Sequence, residues 1–389
     1  MASYLISGDT SFCCGCRACE QRCPKNCITM EERNGLFYPV IDKDNCINCK
    51  LCEKVCQYSE DNQKQLKNNH VLHTYAAWNK DEKEVIQSTS GGMFLTLARK
   101  IIDANGVVFG AKYTSDFSVD VAYGQTVDEC KAFRKSKYVF SNTKETYKQA
   151  EAFLKEGRRV LFSGTPCQIS GLYSFLGKQY DNLITVDIVC HGFNAPILLK
   201  SFLEMLEKQY GGKTNFLDFR SKVENVSEPY LKVSFNNGSV HTEPYRASAY
   251  GVLYGSHAAL MPSCTSCQYT NTHRIGDITI GDYWGVEKYY PQAHNIDGTS
   301  LIFVNSEKGK QILDEIKEDA VLYETDLESA LKQNQPLRYA SPANPFAKSV
   351  ISSLKKKGFK KTYTNYKFIY SKLFLVYRLF RKIKNKLFH

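Results

Sequence analysis

The hydrophobic pattern of the chain changes period several times, and each change predicts an element. Residues 75–78 read as a short strand. Behind them Met93, Phe94, Leu97, Ala98 and Ile101 recur at the spacing of one helical face, with Ser88-Thr89-Ser90-Gly91-Gly92 as the polar start. Residues 106–111 predict a strand. Residues 143–155 predict a helix leading into a strand at 159–162, and a second helix from about 168 to 176 leads into the apolar run 183–189. Strand, helix and strand in this order form a right-handed parallel unit. The turns Ser163-Gly164-Thr165-Pro166-Cys167 and Cys190-His191-Gly192 are therefore expected on one sheet edge, with Cys167 and Cys190 together. A helix near 195–209 and a strand near 216–219 follow. Then comes a hairpin of 230–235 and 239–243 that turns on Asn236-Asn237-Gly238. Asp277-Ile278-Thr279-Ile280 predicts a further strand.

The cysteines change the picture at the front of the chain, where Cys13, Cys16, Cys19 and Cys23-Pro24 are followed by Cys46, Cys49, Cys52 and Cys56. Three cysteines at every third position with a fourth behind form the run that wraps a cubane iron-sulfur cluster, and in paired runs the fourth cysteine serves the other cluster. Cys13, Cys16, Cys19 and Cys56 are assigned to one cluster, and Cys46, Cys49, Cys52 and Cys23 to the second. The segment resembles a two-cluster bacterial-type ferredoxin domain. Zinc is the alternative, but its sites use C-x-x-C pairs separated by a long loop. Gln57 stands where the first run has Pro24, and Cys14 and Cys27 read as small buried residues. The polar stretch 61–72 reads as a linker after a ferredoxin-type domain at 1–60.

Fifteen cysteines in 389 residues, with no basic region and apolar stretch at the start, predict a cytoplasmic, reducing compartment and cysteines held by metals. Cys130, outside every motif, reads as inert core. Apolar content of 43% and charged content of 23% fit a globular protein. The net charge of +11 is concentrated: twelve of the 51 Lys and Arg residues lie from Ser353 onward, where there is no Asp or Glu, so the rest carries 39 basic against 40 acidic residues. That balance, without a basic stripe bearing stacking aromatics, excludes nucleic acid as the partner of the body.

Gly164-Thr165-Pro166-Cys167-Gln168, Asp187-Ile188-Val189-Cys190-His191-Gly192, Phe219-Arg220-Ser221-Lys222, the Cys264/Cys267 pair and Gly281-Asp282-Tyr283-Trp284-Gly285 occur in this order. Together they resemble the coenzyme F-420 hydrogenase/dehydrogenase beta-subunit family, from about residue 76 to 344, and the ferredoxin-like front also occurs there. The resemblance implies an iron-sulfur flavoprotein: a mixed α/β flavin-binding domain over 73–345 behind the ferredoxin-like α+β domain, with FAD and a further 4Fe-4S cluster. By motif, Ser90, Gly91, Gly92 and Ser136, Lys137, Tyr138 are the implied flavin-binding stretches; Lys135 stands where the family commonly has glycine. Cys167, Cys190, Cys264 and Cys267 make a tetrad that spacing alone leaves open between zinc and iron-sulfur; the resemblance implies iron-sulfur. His191 and Lys222 are the candidate catalytic groups, with a hydrogen-bonding role beside the ligand cysteine as the alternative for His191. Asp282 and Trp284 either line the same pocket or close it.

The implied activity is an oxidoreductase passing electrons from ferredoxin-type clusters through a further cluster to a flavin, which exchanges hydride with a small-molecule acceptor or donor, in either direction. Coenzyme F-420 is one candidate substrate. A redox partner protein is expected, a ferredoxin or another oxidoreductase subunit. The alternatives are an electron-transfer subunit whose hydride chemistry lies elsewhere and an iron-sulfur redox sensor.

The tail, 346–389, reads as a basic amphipathic helix. Ile369, Leu373, Val376, Phe380, Ile383 and Leu387 share one face, flanked by Lys372, Arg378, Lys382 and Lys386. Its apolar runs are too short to span a membrane. It suits the anionic inner membrane surface, where each basic residue contributes about 1 kcal/mol; a core helix or an acidic partner protein would also use such a face. The protein is expected to float with anionic but not with neutral liposomes in low salt, and a chain ending at Ser352 is not; equal behaviour of the two chains would remove the membrane reading.

Overall fold

The structure is a computed structural model that describes residues 3–65, 69–222, 228–370 and 372. Strands β1 (Ile28–Arg33) and β2 (Leu36–Ile41) form an antiparallel hairpin in the cysteine-rich front. Next come β3 (His73–Asn79), β4 (Val107–Tyr113), β5 (Val119–Gly124), β6 (Ser141–Asn142), β7 (Val160–Gly164) and β8 (Leu183–Ile188). Strands β9 (Thr214–Ser221), β10 (Tyr230–Phe235) and β11 (Val240–Pro244) make a separate antiparallel sheet, and β12 (Ile278–Asp282), β13 (Ser300–Val304) and β14 (Ala320–Thr325) return to the first. The large sheet runs β14-β3-β13-β12-β8-β7-β4-β5-β6. Its centre, β12, β8, β7 and β4, is parallel, and antiparallel pairings flank it, so the sheet is mixed. The expected parallel pairing of the 159–162 and 183–189 strands is present as β7 and β8.

The central strands bury both faces, which is why they read as unbroken apolar runs. Val108, Leu161, Ile184 and Ile278 point to one face, covered by helices Met93–Asp103 and Glu307–Glu315. Val107, Phe109, Val160 and Phe162 point to the other, covered by helices Thr146–Lys155 and Pro166–Leu176. Ala18 and Val55 of the cysteine-rich front join this second cluster, and Tyr4, Leu36 and Tyr38 join a third around helix Pro196–Tyr210 and the small sheet. Full burial of side chains this size contributes roughly 1.5–3 kcal/mol each. The front is therefore packed into the body's cores.

The segment before residue 366, taken from sequence as the start of the basic tail, also packs. Helix Ala347–Asn365 buries Val350, Ile351, Leu354 and Phe359 beside helix Pro196–Tyr210, and is broken at Gly358 by a φ of 71°. Of the expected amphipathic face, Ile369 is exposed, and Leu373, Val376, Phe380, Ile383 and Leu387 lie outside the described residues. Among the described residues no helix is long and apolar enough to cross a membrane.

One polar cluster sits inside the core beneath the sheet edge. Arg274 Nη2 pairs with Asp187 Oδ1 at 2.7 Å, with both side chains almost wholly buried (2% and 0% exposed). Asp187 Oδ2 also accepts from the backbone N–H groups of Ile275 and Gly276. Removing one member of a buried pair strands the other charge, so Asp187→Ala should destabilise the protein by about 3–5 kcal/mol, read from the urea midpoint. A change below about 1 kcal/mol, the range of an exposed pair, would show that the pair is not a structural anchor.

Candidate cofactor site

The two cysteine runs repeat one backbone device. Gly15 and Arg17 in the first run, and Asn48 and Lys50 in the second, take φ values of 69°, 60°, 52° and 59°. Three of the four are not glycine, and left-handed backbone costs such residues roughly 1–2 kcal/mol each. The turn aims Gly15 N–H at Cys13 Sγ and Asn48 N–H at Cys46 Sγ, both at 3.4 Å. Short helices Ala18–Arg22 and Leu51–Lys54 then carry Cys19 and Cys52.

The thiols of Cys13, Cys16, Cys19 and Cys56 are electrostatic neighbours. They line a small cavity of about 30 Å³ together with Tyr4, Phe12 and Met30. Burial pushes the Cys56 thiol up to about 12, and Cys16 and Cys52 add to the shift. Cys23, Cys46 and Cys52 gather around Ile28 and Ile41, with Cys49 exposed nearby in the sequence. Cys14 and Cys27 are buried as expected, but Cys27 Sγ stands 3.4 Å from Cys23 Sγ, close enough to compete as a ligand.

Cys167, Cys190, Cys264 and Cys267 also meet, at the carboxyl edge of the large sheet. Cys167 lies in the first turn of helix Pro166–Leu176, where Thr165 Oγ1 is 3.2 Å from its sulfur. Cys190 follows β8, Cys264 sits in the 3-10 turn Pro262–Ser266, and Cys267 closes that turn. Burial pushes the Cys190 thiol up to about 12, with Cys167 and Cys267 adding to it, and burial pushes Cys267 up to about 11, with Cys167 adding. Gly192 N–H donates to Cys190 Sγ at 3.3 Å, the same two-residue reach as in both ferredoxin-like runs. Gly192 has a φ of 99°, and a Cβ there would stand 3.0 Å from the Cys264 Cβ, so its bareness admits Cys264.

Among the described residues no three Cys, His, Asp or Glu side chains are placed to hold a single metal ion. The fit of the tetrad to a cluster rests on its four mutually neighbouring thiols, which bound cations would convert to thiolates, and on the repeated N–H···S bond, a common partner of cluster sulfur. Arg274 faces Cys190 and Cys267 and favours their charged forms.

A cluster of basic side chains lies near the tetrad: Arg220 binds Asp282, which acts on His191 beside Cys190. The two stretches expected to bind flavin are brought together: Ser136 N donates to Thr89 Oγ1 at 2.9 Å, and Glu84 holds Arg134 at 3.0 Å and Ser88 Oγ at 3.0 Å. Gly91 N donates to Ser300 Oγ, and Ser90 Oγ to Thr299 O. Lys222 Nζ reaches Val85 O and Ser90 O at 2.8 Å each, and burial lowers its pKa to about 7, with Arg220 acting in the same sense. Burial likewise lowers Lys137 to about 7; its Nζ is tied to the carbonyls of Ala132, Arg134 and Lys135. Arg220 binds Asp282 at 2.7 Å and Tyr138 OH at 3.2 Å, and its buried Nε has no partner among the described residues. Trp284 lies between the guanidinium groups of Arg220 and Arg246, at 5.5 and 5.4 Å. Lys135 takes the left-handed φ of 69° that suits glycine, and it pairs with buried Asp218. The site tolerates lysine at that position through this ion pair.

His191 stands exposed at the rim, with its pKa lowered by the surrounding protein mass against the opposing pull of Asp282. Its carbonyl accepts from Ser341 Oγ, and among the described residues no ring contact ties it to the tetrad. Lys222 follows the end of β9, and Asp282 and Trp284 lie at the end of β12. Sequence reasoning passed over Arg274 and Tyr269, and it named Arg220 only within a motif and Gln57 only as a departure from proline. For Arg274 a signal existed in its partner: Asp187, a carboxylate inside an apolar strand, requires a buried cation or donor.

Residues 157–330 match the family model for the C terminus of the coenzyme F420 hydrogenase/dehydrogenase beta subunit, and residues 12–59 match that of the 4Fe-4S dicluster domain. The first span holds all four tetrad cysteines with Arg220, Lys222 and Asp282; the second holds all eight cysteines of the two runs. The Ser90–Gly92 and Ser136–Tyr138 stretches fall outside both. A chain of the F420-reducing [NiFe] hydrogenase complex from Methanosarcina barkeri aligns at 18% identity over 75% of this chain and 96% of its own, with a TM-score of 0.47. No curated protein matches.

The close pair Cys23 and Cys27 separates by substitution. Cys23→Ser should remove roughly four irons per chain, and Cys27→Ser none, by iron analysis of anaerobically purified protein. The reverse result would move the ligand to Cys27.

Proposed function

The chain joins a 4Fe-4S dicluster domain to the C-terminal domain of the coenzyme F420 hydrogenase/dehydrogenase beta-subunit family, and from that premise we propose that it is a flavin-dependent iron-sulfur oxidoreductase with a third cluster on its cysteine tetrad. The observation that carries the reading is the adjacency, on one sheet edge, of a four-thiol group and a cluster of basic side chains in which the buried Arg220 Nε has no partner among the described residues. Ligands of open α/β sheets sit at such carboxyl ends. A bound flavin supplies the exchange between single electrons and hydride.

The chain's own residues have definable parts. Cys167, Cys190, Cys264 and Cys267 would hold the third cluster. Arg220, Lys222 and Lys137 would neutralise the flavin's phosphates, and Arg220 Nε would find its acceptor there. Tyr138 and Trp284 offer aromatic faces beside these cations. Lys222 can hold or release a proton near neutrality, and His191 at the rim can exchange one with solvent. The partner is a redox protein that exchanges single electrons with the front, and the substrate a small hydride donor or acceptor. Coenzyme F-420 is one candidate.

The test is flavin binding and its pH dependence. Anaerobically purified protein should bind one FAD, which dithionite bleaches through the clusters. Lys137 and Lys222 are charged below their pKa of about 7 and neutral above it. A bound phosphate raises both, so flavin affinity should fall as pH rises through about 7 and upward. Lys222→Met should weaken binding by roughly tenfold, about 1.4 kcal/mol, and combining it with Lys137→Met should flatten the pH profile. Protein that neither carries flavin nor takes it up would remove the hydride step and leave a relay or sensor of electrons.

A further inference from the structure

Electrons from the front must reach the tetrad, and the contact between the two centres at Cys16 and Cys167 is built from particular residues. Helix Pro166–Leu176 carries Cys167 and presents Gly171 to the front. A Cβ on Gly171 would stand 3.0 Å from Cys16 Sγ and 2.9 Å from Tyr147 OH. Only a bare backbone lets the first ferredoxin-like centre approach this helix so closely.

Gln57 fills the remaining gap. It follows Cys56 directly and is wholly buried (0% exposed). Its Nε2 donates to Cys167 O at 2.8 Å and to Cys14 Sγ at 3.2 Å, while its Oε1 accepts from Tyr269 OH at 2.5 Å. Tyr269 stands two residues beyond Cys267, and Cys14 lies between Cys13 and Cys16 in the chain and is a side-chain neighbour of both Cys16 and Cys167. One amide thus touches chain segments that carry ligands of both centres. Proline, which the first run has at the equivalent position, has no side-chain donor and could not do this.

The geometry points to Gln57 as the positioning residue that couples the ferredoxin-like centre of Cys13, Cys16, Cys19 and Cys56 to the tetrad of Cys167, Cys190, Cys264 and Cys267. The path from Cys56 to Cys167 consists of the covalent chain to Gln57 and its side chain, one hydrogen bond, and the covalent chain of Cys167. The Cys14 thiol is a side-chain neighbour of both Cys16 and Cys167, and Gln57 Nε2 holds that thiol and Cys167 O in place, so the shortest route between the two centres runs through groups that Gln57 positions. With clusters bound at both centres, the ferredoxin-like one would be oxidised by one electron and the tetrad's would be reduced by the same electron. No proton moves and no bond breaks. The second ferredoxin-like centre, with Cys49 exposed, is then the entry point for electrons from a redox protein.

This inference rests on the tetrad holding a redox cluster, and the experiment separates the two. Wild type, Gln57→Leu and Tyr269→Phe are purified anaerobically, assayed for iron and zinc, and reduced rapidly with dithionite while freeze-quenched samples are read by electron paramagnetic resonance. With iron content unchanged, Gln57→Leu should slow reduction of the tetrad's cluster by roughly tenfold, the low end for loss of an outer hydrogen bond, and leave reduction of the ferredoxin-like clusters alone. Tyr269→Phe, which frees Gln57 without emptying its space, should slow the same step less. It decides the matter if Gln57→Leu loses iron or fails to fold. Unchanged rates in an iron-replete variant would overturn the role of Gln57. Zinc in place of the third cluster in the wild type would overturn the tetrad reading, and the inference with it.

Discussion

Arg274 Nη2 pairs with Asp187 at the end of β8, Nη1 donates to Tyr269 O at 2.9 Å, and Nε reaches Thr279 Oγ1 on β12 at 3.1 Å. One buried guanidinium thereby locks the loop behind Cys264 and Cys267 to the two strands beside it. Cys190 leaves β8 a few residues beyond Asp187, so the same pair sets the register at which Cys190 meets Cys267. The desolvation of such a charge is costly, and it is offset by five acceptors that no apolar replacement could supply. Arg274 also leaves its positive charge next to the thiols, where it favours their thiolate forms.

From that anchor the rest of the site follows by topology. The parallel centre of the sheet sends the ends of β7, β8 and β12 to one edge. The segments before β13 and β6 start from that edge because their strands run so as to begin there. Ser90, Gly91, Ser136 and Tyr138 reach it from distant parts of the sequence, and Lys222 and Arg220 reach it from the small sheet. The cysteine-rich front is fixed to the opposite side of the tetrad by shared core residues and by the close approach at Gly171. Along this arrangement Cys49 is exposed, and Cys56 and Cys167 are half-buried.

Much of this was legible from residues alone. The period of three in the cysteine runs carries a ligand geometry, and β7, β8 and the helix between them read cleanly because apolar runs and caps agree. The Asn-Gly hairpin was equally plain. Strands β1, β2, β5, β6, β13 and β14 were not read. β13 is a wholly buried five-residue run without alternation, and β6 is two residues long, so neither offers a period. Helix Ala347–Asn365 was read with the basic tail because its many lysines outweigh the few residues it buries: Val350, Ile351, Leu354 and Phe359. Gln57 registered only as a departure from the proline of the first run. Its meaning depends on Cys167, 110 residues away, and no local pattern carries that.

The central claim is that the tetrad on the sheet edge holds a redox cluster in series with two others. Mössbauer spectroscopy of protein grown on iron-57 and isolated without oxygen tests it most directly. The account predicts about twelve irons per chain, all with the parameters of sulfur-ligated cubanes, and no stoichiometric zinc. About eight irons accompanied by one tightly held zinc would contradict it and make the tetrad a structural site.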